Sequence, residues 1–483
     1  MKTCAHRAVR DHTESAVRRC RRAGAWAAFA LLTELLPAAV NAQALDLAPR
    51  TDLWQRPTLL GDWGGLRDIL ADHGVAVTLN ETAETLGNVT GGVKTGAIFE
   101  GRLTAAVGID LDKAMGWPGG SFYVDAYQIH GRGLSANNLH NLLTVSSIEA
   151  DRATRLHDLY LEQKFLGDAA SLRLGQIAAD DEFIISQYGG AFLNAMFGWP
   201  GLPSNDLLPA GPNYPFATPG VRIKFGSGAG WTFLAAALNS NPAGPATSGN
   251  RNPNPQLRDP SGTSFNFNSD LFAIAEVHYA FTPDKDAPGL PAAYKVGAWY
   301  DSGKFADQRF DMAGLSLASP ASNGIPRNHV NDFSLYGMID QMIWRRPGTA
   351  DRGVAAFLRL TGAPDDRNLI AFFADAGISL LGPFEGRDDD VVALGVAYDR
   401  VSSAVRGLDR DFATLAGAPR PSRDYEAVLE LTYQAQITPW WQLQPDFQYI
   451  FHPGANAPSP TDPTGRTPIK DAAVFGLRTT ISF

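Results

Sequence analysis

The sequence predicts an all-β fold: a 16-stranded antiparallel transmembrane β-barrel with a short N-terminal periplasmic helix and an inward-folded constriction loop. Three observations predict it. From Val75 to Phe483, segments of about ten residues alternate apolar and polar side chains, with Gly, Pro, Asn and Asp at the breaks. Beyond residue 42 no apolar run approaches the ~20 residues that a membrane helix needs. The chain ends on Phe483, an aromatic last residue of the kind by which outer-membrane barrels address the barrel-assembly machinery.

Residues 1–42 read as a secretory signal peptide. Arg18, Arg19, Arg21 and Arg22 precede an apolar run from Ala23 to Leu32, and Val40-Asn41-Ala42 offers small residues for cleavage. Both cysteines, Cys4 and Cys20, fall inside this segment, so the remainder has no disulfide or thiolate site. Removing the segment takes away 7 of 41 basic and 3 of 50 acidic residues, which leaves 34 against 47 and a net charge near −13. An acidic chain without a basic cluster argues against nucleic acid as partner.

Residues 43–74 form an N-terminal periplasmic segment, with a short helix before the first strand. Asp62 is placed to cap it, Leu66, Ile69 and Leu70 share one face, and Gly74 suits the left-handed stop. A helix this short must dock, and the meeting point of first and last strands is the expected place. Residues 75–483 are the barrel. Val75, Val77 and Leu79 oppose Thr78, Asn80, Thr82 and Glu84; Leu103, Ala105 and Val107 oppose Glu100, Arg102 and Thr104. Comparable alternation runs through 122–127, 158–165, 171–174, 221–225, 273–279, 354–361, 392–399, 425–434, 441–449 and 475–483, with weaker segments near 231–239, 293–301, 333–344 and 371–380. A count of about 16 leaves an aqueous channel. Long strands with aromatics at their ends, such as Tyr279, Phe281, Trp440 and Trp441, favour lipid over water outside. The alternative is a soluble or surface β-rich protein that binds sugars or acts as an adhesin.

Four stretches carry a family resemblance: "GDWGGLRDILADHGV" from Gly61, "LYLEQKFLGDAASLRLGQ" over 159–176, "YEAVLELTYQAQITPWWQLQPDFQYIFHPG" over 425–454, and the terminal "VFGLRTTISF". Together they resemble the carbohydrate-selective porin family, the glucose-porin type. The resemblance implies a channel in the outer membrane of a Gram-negative bacterium, in contact with lipid and lipopolysaccharide, that admits mono- and oligosaccharides to the periplasm. It implies a monomer rather than the trimer of general porins.

The connection over 176–220 is too long for a plain turn. It holds Tyr188, Phe197 and Trp199 and six prolines, and it is expected to fold inward and narrow the lumen. Aromatic faces suit the C–H faces of a sugar, and charged or amide groups suit its hydroxyls. Trp199 is a sugar platform or a loop anchor. The polar candidates on the lumen face are Glu100, Arg102, Asp125, Arg173, Arg222, Lys224, Glu276, Arg359, Glu426, Asp446, Gln448 and Arg478. The acidic runs at 179–183, 365–366 and 387–390 offer oxygen ligands for Ca²⁺ but lack the spacing of a calcium loop. Solvated loop acids are the better reading, and no metal or other cofactor is expected. No HExxH or GxSxG motif is present, and no enzyme is expected.

Overall fold

The computed structural model describes residues 52–207, 211–226, 228–247, 250–284, 287–415 and 417–483. The signal-peptide reading of 1–42 lies outside the described residues. Sixteen strands follow one another: β1 Val75–Gly92, β2 Gly96–Asp110, β3 Gly120–Gly131, β4 Ala153–Phe165, β5 Ala170–Ile177, β6 Thr218–Phe225, β7 Gly230–Asn239, β8 Leu271–Phe281, β9 Ala292–Asp311, β10 Pro326–Arg345, β11 Gly353–Gly362, β12 Ile370–Leu381, β13 Val391–Val401, β14 Tyr425–Thr438, β15 Trp441–Phe451 and β16 Lys470–Ser482. Each pairs antiparallel with its neighbours, and β1 pairs with β16 to close the barrel. Closure removes the sheet edges, which in lipid would leave backbone groups without partners.

Period-two alternation dictates which side chains meet lipid. Leu174, Phe233, Val296, Leu335, Leu358, Leu394 and Leu431 point outward and are exposed. Connections are short at one end, as over 166–169 and 439–440, and long at the other, as over 132–152, 178–217, 240–270 and 402–424. Short turns mark the periplasmic end of such barrels. Exposed aromatics ring both ends: Trp117, Trp231, Phe281 and Trp344 near the short turns, and Phe99, Tyr300, Phe333 and Phe475 toward the long loops. β9 and β10, at 20 residues each, run beyond this belt. There Arg309 Nε donates to Asp411 Oδ2 at 2.7 Å, on a helix over Ser403–Thr414.

The chain ahead of β1 clasps the seam. Leu59 N–H donates to Ser482 O at 2.7 Å, Trp440 Nε1 donates to Leu53 O at 2.8 Å, and Arg67 donates to the backbone oxygen of Phe483. Helix α1, Leu66–Asp72, departs from two expectations. Asp62 does not cap it: Asp62 Oδ1 accepts from Gly64 N–H at 3.1 Å, and the N-cap is Gly65 at φ +90°. The Gly64–Gly65 turn stands between that carboxylate and the first helical turn. Nor does the barrel bury its apolar face, because Leu66 and Ile69 remain 44% and 54% exposed. The helix is held by its polar side through Arg67, whose other nitrogen donates to Thr58 Oγ1 at 2.8 Å. Gly74 does stop the helix, at φ +78°; a Cβ there would sit 2.7 Å from Asp110 O.

Arg67→Ala should lower the unfolding midpoint in heat-modifiable gel assays by the equivalent of about 1–2 kcal/mol, the worth of a charge-assisted hydrogen bond. Single-channel conductance should not change.

Candidate functional site

Two long-loop connections fold into the barrel. The first, 132–152, lies along β14–β16 and β1; the second, 178–217, crosses the interior. They join each other where Ser147 N–H donates to Leu193 O at 2.8 Å and Ala195 N–H to Thr144 O at 2.9 Å. Leu134, Leu143, Val145, Ile184, Leu193 and Leu202 thereby form an apolar core inside the barrel, against inward residues such as Leu86, Ile274, Trp299, Phe373 and Val428.

Irregular backbone inside a closed cylinder needs polar partners, and the wall supplies them. Glu426 accepts from the N–H groups of Leu142, Leu143 and Gly454 at 2.7–3.0 Å. Glu430 accepts from Leu193 and Asn194, Glu276 from Ile184, and Asp340 from Ser186 and Gln187. Gln448 Nε2 donates to Val145 O at 2.9 Å and to Asp446 Oδ1 at 3.0 Å. Arg359, fully buried, donates to the carbonyls of Ile184, Met196 and Gly198 and to both oxygens of Asp375. On the loop, Asp206 accepts from Leu369 and Ile370 N–H. Burial pushes its carboxyl well up from its ordinary range, while those N–H groups pull it down.

These contacts revise the roles expected from sequence. Glu276, Arg359, Glu426 and Gln448 all face inward, but they are buried under loop backbone as tethers. Phe197 is fully buried and stacks on Phe192 at 4.2 Å, with Phe357 of β11 edge-on at 6.1 Å. Those rings press on Gly395 of β13, where a Cβ would lie 2.7 Å from Phe192 Cζ, so only glycine leaves the space. Trp199 and Tyr188 are 4% and 5% exposed. With no free ring face, these three aromatics pack the loop. Glu100 is buried beside the first inward loop, and Arg478 pairs with Glu84 and donates to Ser147 Oγ at 3.0 Å. The acids at 365–366 and 387–390 are spent on loop contacts: Asp365 accepts from Ser403 N–H, Asp366 pairs with Arg367, and Asp390 pairs with Arg387.

The opposite wall is more open. On β2–β6 the inward Arg102, Tyr123, Tyr160, Glu162 and Lys224 are only partly buried. Tyr123 and Tyr160 stack at 5.2 Å, and the Arg173 guanidinium lies 3.9 Å over Tyr160. Arg102 lies against Tyr127 and Tyr214 at 4.8 and 5.1 Å. Arg173 and Arg222 are direct cross-strand partners, a repulsive pairing on its own. Glu162 of β4 and Glu182 of the loop neutralise it, each within 3.3 Å of both guanidiniums. The result is a square of alternating charge where the loop leaves the wall. Toward the periplasmic mouth, Tyr123, Tyr160, Glu162 and Lys164 line a cavity of about 720 Å³; Lys224, Lys295, His278 and Glu182 line another of about 310 Å³. Tyr123, Tyr160, Glu162 and Glu182 were visible in sequence as inward or loop residues, but nothing there separated them from ordinary wall.

A closed barrel with an apolar exterior, with loops folded into it and charged and aromatic side chains on the wall they leave more open, has the build of a porin. Residues 94–483 match the family described as carbohydrate-selective porin, OprB family, and the chain belongs to it. It is an outer-membrane channel for sugars. Porin B of Pseudomonas aeruginosa is 25% identical over 418 residues, covering 82% of this chain and 87% of that protein. Putative porin QuiX of Acinetobacter baylyi is 26% identical over 482 residues, covering 93% and 98%. The high-pH structure of Pseudomonas putida OprB shares the fold with a TM-score of 0.76 at 22% identity, covering 90% of this chain and 100% of that one.

Arg359→Met should release the loop and strand Asp375 unpaired. Expected are a loss of about 3–5 kcal/mol in stability and larger, noisier single-channel currents. Adding Asp375→Leu should restore much of the stability, because the buried charge is gone, but not the quiet current, because the three loop carbonyls still lack Arg359.

Proposed function

We propose that sugars pass along the β2–β6 wall and that the Arg173–Tyr160–Tyr123 stack and the charge square above it supply the selectivity. The stacked tyrosines carry this reading, because they are partly open aromatic surface inside the barrel, at the wall of the larger cavity. A pyranose would cover tyrosine surface with its C–H faces. Its hydroxyls would exchange water for Glu162, Arg173, Lys224 and Arg102. Passage requires each contact to be weak and repeated. A square with no net charge suits a neutral solute, because it offers donors and acceptors without holding a counter-ion.

The same reading assigns the chain to the outer membrane of a Gram-negative bacterium, as a monomer, inserted by the barrel-assembly machinery through Phe483.

Sugar-induced block of ion current in planar bilayers tests the path. Tyr123→Ala should raise half-blocking concentrations about fivefold, the equivalent of about 1 kcal/mol for an aromatic contact, and leave the unblocked current similar or slightly larger. Unchanged block would remove this wall from the path. Deleting 188–203, which takes out Phe192 and Phe197, should enlarge conductance and flatten the preference among sugars in liposome swelling. Unchanged conductance would put the constriction elsewhere.

A further inference from the structure

The pairing of β3 with β4 slips once. Val124 faces Leu159 and Ala126 faces Leu156, so His157 and Asp158 together oppose Asp125. A β-bulge of this kind turns two successive side chains to one face, and here both go inward. The second inward loop begins just across from them, with a 3₁₀ turn over Ala179–Asp181. We propose that His157, Asp158 and Asp181, backed by Asp125, bind one divalent transition-metal ion, of which Zn²⁺ is the probe.

Three observations carry it. One ligand atom from each of His157, Asp158 and Asp181 lies within 4.8 Å of the other two. A tetrahedral ion with bonds of ~2.0–2.1 Å spaces its ligands by ~3.3 Å, so a small inward shift of Asp181, which is exposed and on a loop, completes the set. Next, His157 is only 2% exposed, and neither of its ring nitrogens makes a hydrogen bond. Its Nδ1 is 3.4 Å from Asp125 Oδ1 and 4.0 Å from Asp158 Oδ1, so the imidazole is aimed into the carboxylates. Finally, Asp125, Asp158 and Asp181 gather around this one imidazole. Among the described residues no lysine or arginine comes within 4.0 Å of any of them, whereas the neighbouring Glu162 and Glu182 are matched by arginines.

The donor set selects the ion. Ca²⁺ takes six to eight oxygens, while a mixed imidazole–carboxylate set suits Zn²⁺ and its neighbours. The surroundings already resemble an outer shell. Tyr127 stacks on the imidazole at 4.6 Å, Asp125 Oδ1 accepts from Asp158 N–H at 2.7 Å, and Asp158 Oδ1 accepts from Ala178 N–H at 2.9 Å. Asp181 is the exposed member and the way in from the lumen. A bound ion would pin the root of the constriction loop to the wall.

The test is Zn²⁺ binding to the folded barrel in detergent, by equilibrium dialysis with metal analysis, beside Asp181→Asn and His157→Gln. One Zn²⁺ per chain is expected, at least ~tenfold weaker in Asp181→Asn, with Ca²⁺ a poor competitor. Co²⁺ in the same site should give the visible bands of a tetrahedral ion with a nitrogen ligand. Asp181 is exposed, so its variant folds even if His157→Gln does not, and heat-modifiable mobility checks both. Absence of stoichiometric Zn²⁺ binding, equal binding by Asp181→Asn, or equal displacement by Ca²⁺ would overturn the assignment and leave a plain His157–Asp125 contact.

Discussion

A loop that enters a closed cylinder carries N–H and C=O groups that no strand can pair, and water is largely excluded where two such loops pack together. Each of those groups left alone costs on the order of 1–3 kcal/mol. The interior of this barrel is organised around that constraint. Glu276, Asp340, Glu426 and Glu430 supply acceptors to loop N–H groups, and Arg359 supplies donors to three loop carbonyls. The wall charges on β8–β14 therefore look inward for a structural reason. They fix where the loops lie, and the loops in turn decide which part of the wall stays open. The more open part is β2–β6, where Arg102, Glu162, Arg173 and Lys224 meet each other, aromatic rings and the cavities.

Much of the fold was legible because two rules act on every strand. Lipid demands apolar residues outward, and the lumen relaxes that demand inward, so alternation marks the strands from Val75 to the end. All twelve polar candidates from the strands do face inward. Their division of labour was not legible, because a carboxylate that holds a loop and one that meets a solute obey the same alternation. Only the loop's path separates Glu426 from Glu162, and that path depends on partners hundreds of residues apart. One trace was available: in "WTFLAAALN" of β7 both faces are apolar, and its inward Leu234 and Leu238 prove to be buried. A strand apolar on both faces signals something packed inside.

The same limit explains the aromatics. Phe197, Trp199 and Tyr188 looked like sugar surfaces because composition cannot distinguish a ring that fills a gap from one that lines a passage. The gap was prepared by Gly395, which reads in isolation as a weak strand residue. The bulge at His157–Asp158 was hidden for a related reason: alternation assigns neighbours to opposite faces, and an extra residue breaks that rule without any marker in composition. Asp180 and Asp181 were seen as an acidic run, but the imidazole that Asp181 meets comes from another strand.

The length of β9 and β10 has its own consequence. Twenty residues at ~3.3 Å each, tilted by ~40°, rise ~50 Å, about twice the ~25 Å apolar band of such barrels. The wall therefore continues past the bilayer as a stiff palisade on one side, braced by the Arg309–Asp411 pair. Anything approaching from outside over β9 and β10 meets a high, hydrogen-bonded rim.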